Sequence, residues 1–425
     1  MKRIILILIA LVFLQNSVKA QPNKPIPAWK EGNLDIIIFK TGRGDAIFTI
    51  MPDGTTMLSD PGELDLTDPR TESDRNSKAY PNASRYSDEW ISSYIRQVSP
   101  SKKPSFVDYA FITHFHDDHY GLIYEGARKS RNGDYYLSGI TGVGDQISFG
   151  KILDRGYPDY NTPVDLRSLL KKRGEINEYN TLVNYIRYAE IKKKTEGTKI
   201  EKFEVGSNQQ IVLNNNPKAY PDFSVRNIQG NGWVWDKAKG KSFYVYPDTA
   251  TYVPSENGCS LGYLITYGNF KFYHGGDIPG VVTVGNPDYY DVESKMAASI
   301  GKVDVAIANH HGGMDVLNPL FIKTLQPRVW LETVWSSDQP SHQTLTRMVS
   351  KSIYPGPRDL FATDILAANK VVIGSLIDNS YKSTFGHIWL QVKPDGSYTI
   401  SILETVKGKL ILKNTYGPYY SEKKS

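Results

Sequence analysis

The chain has 425 residues, 40% hydrophobic and 22% charged; these ordinary globular values exclude a disordered tail protein, a collagen-like fibre and a multi-span membrane protein. The length allows two or three small domains or one large α/β body, and a single cysteine, Cys259, excludes an internal disulfide and any zinc site built from several thiolates. The formal charge of +5 falls to +2 without Lys2, Arg3 and Lys19, so bulk charge gives little support for a dedicated nucleic-acid binder.

Met1, Lys2 and Arg3 form a short positive head, residues 4–14 an uncharged apolar run, and Val18, Lys19 and Ala20 a small-residue ending. This is the pattern of a signal peptide over 1–20, with a mature chain from near Gln21 exported to the periplasm or beyond the cell. The apolar run is short for a membrane span of roughly twenty residues. No later segment reads as transmembrane, and no stable membrane insertion is expected after cleavage. The rest, 21–425, reads as a single domain.

Residues 34–39 (LDIIIF) and 46–51 (AIFTIM) are β-rich, and Pro52-Asp53-Gly54 turns into residues 55–59, so the body opens as a β-meander. Ser87 is placed as the N-cap of a helix through about Val98, with Trp90, Ile91, Tyr94, Ile95 and Val98 at helical spacing. Residues 106–113 then form a buried-type strand that runs into a histidine cluster. From about 125 to 256 the pattern loosens into a long insert with one helix at about 177–194. Between Lys151 and Lys202 twelve basic residues face eight acidic ones; a solvated helical face is the simpler reading, and a lid that attracts an anion is the other. Residues 261–267 and 270–273 flank Gly268-Asn269 as a hairpin. Thereafter helix and strand alternate: a helix at 292–300, a strand at 303–308, a helix at 319–325, a strand at 328–334 and a helix from Ser341. A second hairpin follows at 387–392 and 397–403.

Thr113-His114-Phe115-His116-Asp117-Asp118-His119 carries the chemistry. Residues two apart in extended chain face the same way, so His114 and His116 can grip one metal, while Asp118 and His119 beyond the turn can grip a second. Imidazole and carboxylate without thiolate suit one or two divalent ions, zinc first, with manganese or iron as alternatives. Two dications roughly 3.5 to 4 Å apart need a shared anion. Asp277, in Tyr273-His274-Gly275-Gly276-Asp277, meets that need after a buried strand. The next strand leads to His310-His311, of which one is read as binding metal or protonating a leaving group and the other as structural; the sequence leaves open which. A further strand leads to His342, read as a ligand. His387 is a candidate to reach the site from the C-terminal strands, His274 reads as structural, and Cys259 as a small buried residue.

These residues resemble a family. The H-x-H-x-D-H loop, the strand-end Asp60, Gly276-Asp277 and His342 are similar to the metallo-β-lactamase superfamily. More narrowly, Gly42-Arg43-Gly44-Asp45-Ala46 with Pro52-Asp53-Gly54, then Asn257-Gly258-Cys259-Ser260-Leu261, Gly276-Asp277 and His310-His311-Gly312 resemble the hydrolase domain of the competence protein ComEC. The resemblance implies an αββα sandwich holding one or two metals. It makes His114, His116, Asp118, His119 and Asp277 ligands, places Asp60 behind them to orient the loop, and puts His342 at the last ligand position and His310 or His311 where a proton donor or ligand stands. No histidine lies between His119 and His274. The usual middle ligand is therefore missing, and His310 or Asn257 is left to fill the gap.

The sequence thus reads as an exported metal-dependent hydrolase. A metal-activated water attacks, Asp118 binds metal and orients the nucleophile, Asp277 bridges, and His310 or His311 serves the departing oxygen. The favoured substrate, implied by the ComEC-like resemblance, is a phosphodiester. The alternatives are an ester, thioester or lactam hydrolase with an apolar pocket formed by the insert, and a catalytically silent binding protein.

Overall fold

Two sheets arise because most strands are apolar on both faces. In Leu34–Ile38, Ile37 turns to one side while Ile36 and Ile38 turn to the other; in Val329–Glu332, Trp330 opposes Val329 and Leu331 in the same way. A strand with no polar face must be covered on both sides. The computed structural model describes residues 24–422 apart from 43, 64–66, 70, 72, 101 and 283–284. The expected leader at 1–20 therefore lies outside the described residues, as does Arg43 of the Gly42-to-Ala46 motif.

Among the described residues one sheet has ten strands and the other nine. In the first, His387–Val392, Leu34–Ile38, Ile47–Ile50 and Thr56–Ser59 follow one another antiparallel, and Phe106–Phe111, Ser148–Asp154 and Lys199–Lys202 continue parallel. In the second, Phe223–Gly230, Gly262–Tyr267 and Phe270–His274 are antiparallel, and Val305–Ile307, Val329–Glu332, Asp359–Ala362 and Tyr381–Ser383 are added parallel.

Three cores separate the layers. Met57, Tyr109 and Phe111 of the first sheet pack against Tyr263, Phe272, Ile307 and Leu331 of the second. Outside the first sheet lie Ser87–Val98, Gly139–Gln146 and Ile176–Glu196, which bury Ile91, Tyr94, Val143 and Tyr185. Outside the second, Glu293–Ile300, Pro319–Leu325 and His342–Val349 bury Met296, Phe321 and Leu345 against Tyr273 and Trp330. This is the αββα sandwich that the motifs implied.

The stretch 125–256, expected as an insert, is woven through both sheets. Ser148–Asp154 and Lys199–Lys202 extend the first, and Phe223–Gly230, Trp233–Asp236 and Lys241–Tyr244 build the edge of the second. Strands such as KIEK and KSFY carry too little apolar alternation to be read locally; pairing with a formed neighbour decides them. The helical part of the stretch, Leu166–Arg173 and Ile176–Glu196, adds no strand and packs on the outer face of the first sheet. No helix among the described residues is long and apolar enough to cross a membrane.

Candidate metal centre

The parallel halves of both sheets deliver their C-terminal ends to one place, as open α/β sheets do at ligand sites. Asp60 follows Thr56–Ser59, His114 to His119 follow Phe106–Phe111, Asp277 follows Phe270–His274, and His310 and His311 follow Val305–Ile307. Two groups of possible ligand atoms result, each within 4.8 Å: Asp118, His119, Asp277 and His311, and beside it His114, His116 and Asp277. Asp277 belongs to both. Its Oδ2 lies 3.3 Å from His119 Nε2, 3.6 Å from His311 Nε2, 3.7 Å from His114 Nε2 and 3.9 Å from His310 Nε2.

The backbone explains the convergence. Adjacent histidines point apart in extended chain, but His310 and His311 have φ of 45° and 51°. This left-handed pair turns both rings towards Asp277, a conformation that costs energy for non-glycine residues and persists where the surroundings enforce it. Opposite, the carbonyl of Asp118 accepts from Asp45 N at 2.8 Å, and a Cβ at Gly62 would stand 1.9 Å from that oxygen. Glycine at 62 is therefore required by the close approach. The Asn257-to-Leu261 motif ties the two sheets together: Ser260 Oγ accepts from Asp277 N at 3.2 Å, Leu261 N donates to Thr113 O at 2.9 Å, and Asn257 Nδ2 lies 3.2 Å from His310 Nε2.

Hydrogen bonds aim the rings. Asp60 accepts from Thr113 N and Thr113 Oγ1, both at 2.7 Å, and lies 3.1 Å from His119 Nδ1. With Nδ1 held there, His119 presents Nε2 inward, and that buried atom has no hydrogen-bond partner. His311 Nδ1 lies 2.9 Å from Thr333 O, leaving Nε2 towards Asp118 Oδ2 at 3.0 Å. Trp335 Nε1 donates to the same Asp118 oxygen at 2.9 Å. His114 Nε2 and His116 Nδ1 face each other at 3.1 Å. Two imidazole nitrogens that near, one buried and one half-buried, beside a carboxylate, fit a shared cation better than each other. The unpartnered His119 Nε2 and the thiolate-free donor set both fit a divalent metal.

Burial alone would raise the Asp118 carboxyl, but the His119 and His311 imidazoles hold it well below the usual range. Burial disfavours charge on His119 and His311 too, and the surrounding carboxylates, Asp277 first, overcome it and raise both. Behind the cluster, Asp45, Asp60 and His274 form a third buried group, and burial pushes the His274 imidazole down.

Two expected residues are not brought in. His342 is exposed at the start of His342–Val349 and joins no such group among the described residues. Ser341 caps this helix by accepting from Thr344 N, and the histidine points outward. His387 is fully buried elsewhere: its Nδ1 accepts from Lys40 N at 2.9 Å, its Nε2 meets Thr405 Oγ1 at 2.8 Å, and burial pushes its imidazole down to about 3. Its partners make it a packing residue beside Phe39, Tyr80 and Tyr94. His311, not His342, joins the group that could hold a metal, and His310 stands near Asp277 with Asn257. Cys259 is buried and its thiol is pushed up to about 12 by burial, as a structural cysteine. The sequence reading passed over Trp335, Thr333 and Asp315; none carries a local motif, and only the tertiary fold puts them here.

No family model matches the chain, and no curated protein matches it. Among solved structures it is similar to the metallo-beta-lactamase fold protein YhfI from Bacillus subtilis, at 10% identity over 83% of this chain and 95% of that one, with a TM-score of 0.33. It is also similar to the hydrolase AbOPH of the beta lactamase superfamily, at 15% identity over 61% of this chain and 68% of that one, with a TM-score of 0.30.

Proposed function

We propose that the protein is an exported metal-dependent hydrolase whose favoured substrate is a phosphodiester. The observation that carries the metal-dependent hydrolase reading is the burial of Asp118, His119, Asp277 and His311 around one point, with His114 and His116 sharing Asp277 at a second; the phosphodiester preference rests on the ComEC-like resemblance of the motifs. When bound there, divalent ions supply Lewis acidity and a nucleophilic water at neutral pH. The residues that would hold them are His114, His116 and Asp277 on one side, and Asp118, His119, Asp277 and His311 on the other.

The chain's own groups supply orientation and a proton. Asp118 is pinned by Trp335 Nε1 and His311, so its carboxylate keeps one direction. His310 is half-buried at the edge of the cluster, with Nδ1 2.7 Å from Asp315 Oδ1. Burial opposes its charge, but Asp277 and Asp315 raise it above an ordinary imidazole. A proton held on Nε2 is then placed for delivery to a departing oxygen. Export rests on the leader pattern at 1–20, and it is tested by N-terminal sequencing of secreted protein, which is expected to start near Gln21.

The test is metal content per chain by elemental analysis, on protein purified without a histidine tag. The parent is expected to hold metal and a His116→Ala, Asp277→Ala double variant to lose it. A parent that holds no metal under saturating zinc or manganese removes the hydrolase reading in favour of a silent binding protein.

A further inference from the structure

A cavity of about 420 Å³ opens beside His116 and His310 and is walled on one side by the helical stretch between Ser148–Asp154 and Lys199–Lys202 of the first sheet. Phe115, Val164, Leu166, Leu169 and Leu170 form one apolar wall. Its charges are two arginines against four carboxylates, Glu175, Glu178, Glu256 and Asp315. Arg155 is already engaged: Nε and Nη2 donate to Glu256, and Nη1 donates to Thr162 O and Asn231 Oδ1. It has no fork left for a phosphate. Of the basic run Lys171, Lys172 and Arg173, Arg173 alone lines the cavity, and it is exposed.

We infer that the cavity takes the apolar ester group of a small phosphodiester, rather than a strand of nucleic acid. This rests on the hydrolase reading above and narrows its substrate. A polynucleotide needs a basic track for successive phosphates and aromatic platforms for its bases. This cavity offers mainly aliphatic side chains, two isolated aromatic rings, Phe115 and Tyr290, and a surplus of carboxylates, which repel further phosphates and leave the single reacting one to the metal side. Its volume lies within the range of small-molecule sites. Leu169, partly exposed on the helix Leu166–Arg173, is the residue through which the preference is tested.

The experiment measures binding and turnover separately. Calorimetry on metal-loaded protein compares phenylphosphonate with methylphosphonate, and phenylphosphonate is expected to bind about tenfold tighter through burial of its ring. Leu169→Asp should abolish most of that ratio and Leu169→Ala reduce it; the second variant serves if the first does not fold. Turnover of bis(p-nitrophenyl) phosphate is compared with that of single-stranded oligothymidylate and duplex DNA, and the small diester is expected to be the better substrate with little salt dependence. An absent phenyl preference, a preference unchanged in both Leu169 variants, or oligonucleotide cleavage that matches the small diester and falls steeply with salt overturns the inference. A phenyl preference without turnover of any diester leaves the cavity's apolar pocket standing and sinks the phosphodiester reading instead.

Discussion

Asp60 shows how much one buried carboxylate can fix. It is fully buried with a φ of 50°, and its oxygens hold the backbone and hydroxyl of Thr113 and the Nδ1 of His119. Asn in its place can still accept from Thr113 but offers an amide N–H where an acceptor is needed, so His119 loses its anchor. Partners of this kind commonly change metal affinity about 10- to 100-fold. Asp60→Asn is therefore expected to weaken zinc binding by that order in a chelator competition titration, with the far-ultraviolet circular dichroism unchanged. His342→Ala, on an exposed side chain, is expected to leave the same titration unmoved; a matching loss there would return His342 to the ligand set.

At the scale of elements, the tie between the ligand loop and the strand Ser148–Asp154 runs through one ion pair. Glu256 accepts from Phe115 N at 2.8 Å and from Arg155, which follows that strand, and Arg155 outweighs burial to keep the Glu256 carboxyl low. Glu256→Gln leaves a buried guanidinium without its counter-ion, a change that costs about 3–5 kcal/mol. Urea unfolding should show that loss, and Arg155→Met with Glu256→Gln should recover part of it. The residues also show what sequence can carry. The helix read from a Ser87 cap to about Val98 forms over Ser87–Val98, with Tyr86 rather than Ser87 at its cap, and Pro319–Leu325 forms as read, because apolar spacing is a local signal while the exact cap is set by the fold. The edge strands Lys199–Lys202 and Lys241–Tyr244 have no such signal. That the H-x-H-x-D-H loop and Asp277 come together was legible because each ends an apolar strand. His311 was only half legible, because its place depends on a left-handed backbone that no side-chain pattern announces, and His342 was misplaced because a histidine at a helix start looks the same whether it points inward or out.

Across the whole molecule, the sandwich buries several carboxylic acids whose desolvation outweighs any nearby cation, and these set one direction of its pH response. Burial raises Glu332 to about 8; Glu293 and Glu63 rise to about 8 as well, and Asp35 to about 7. Each of these groups binds its proton more tightly folded than unfolded. Their contribution to stability is therefore full below the unfolded carboxyl range, near pH 4, and is lost as pH rises towards 8. This is the reverse of a salt-bridged carboxylate, whose contribution is lost in acid. Glu332 isolates the effect, because its Oε2 accepts from Tyr381 Oη at 2.7 Å while its Oε1 is buried without a partner. Gln at 332 can keep the acceptor for Tyr381 and carries no titrating proton. Between pH 5 and pH 8 the parent is expected to lose more stability than Glu332→Gln, by a few kcal/mol at most for a shift of this size, so the variant gains on the parent as pH rises. Urea midpoints for the two proteins at both pH values read this directly, and parallel pH slopes would show that Glu332 does not hold its proton across that window.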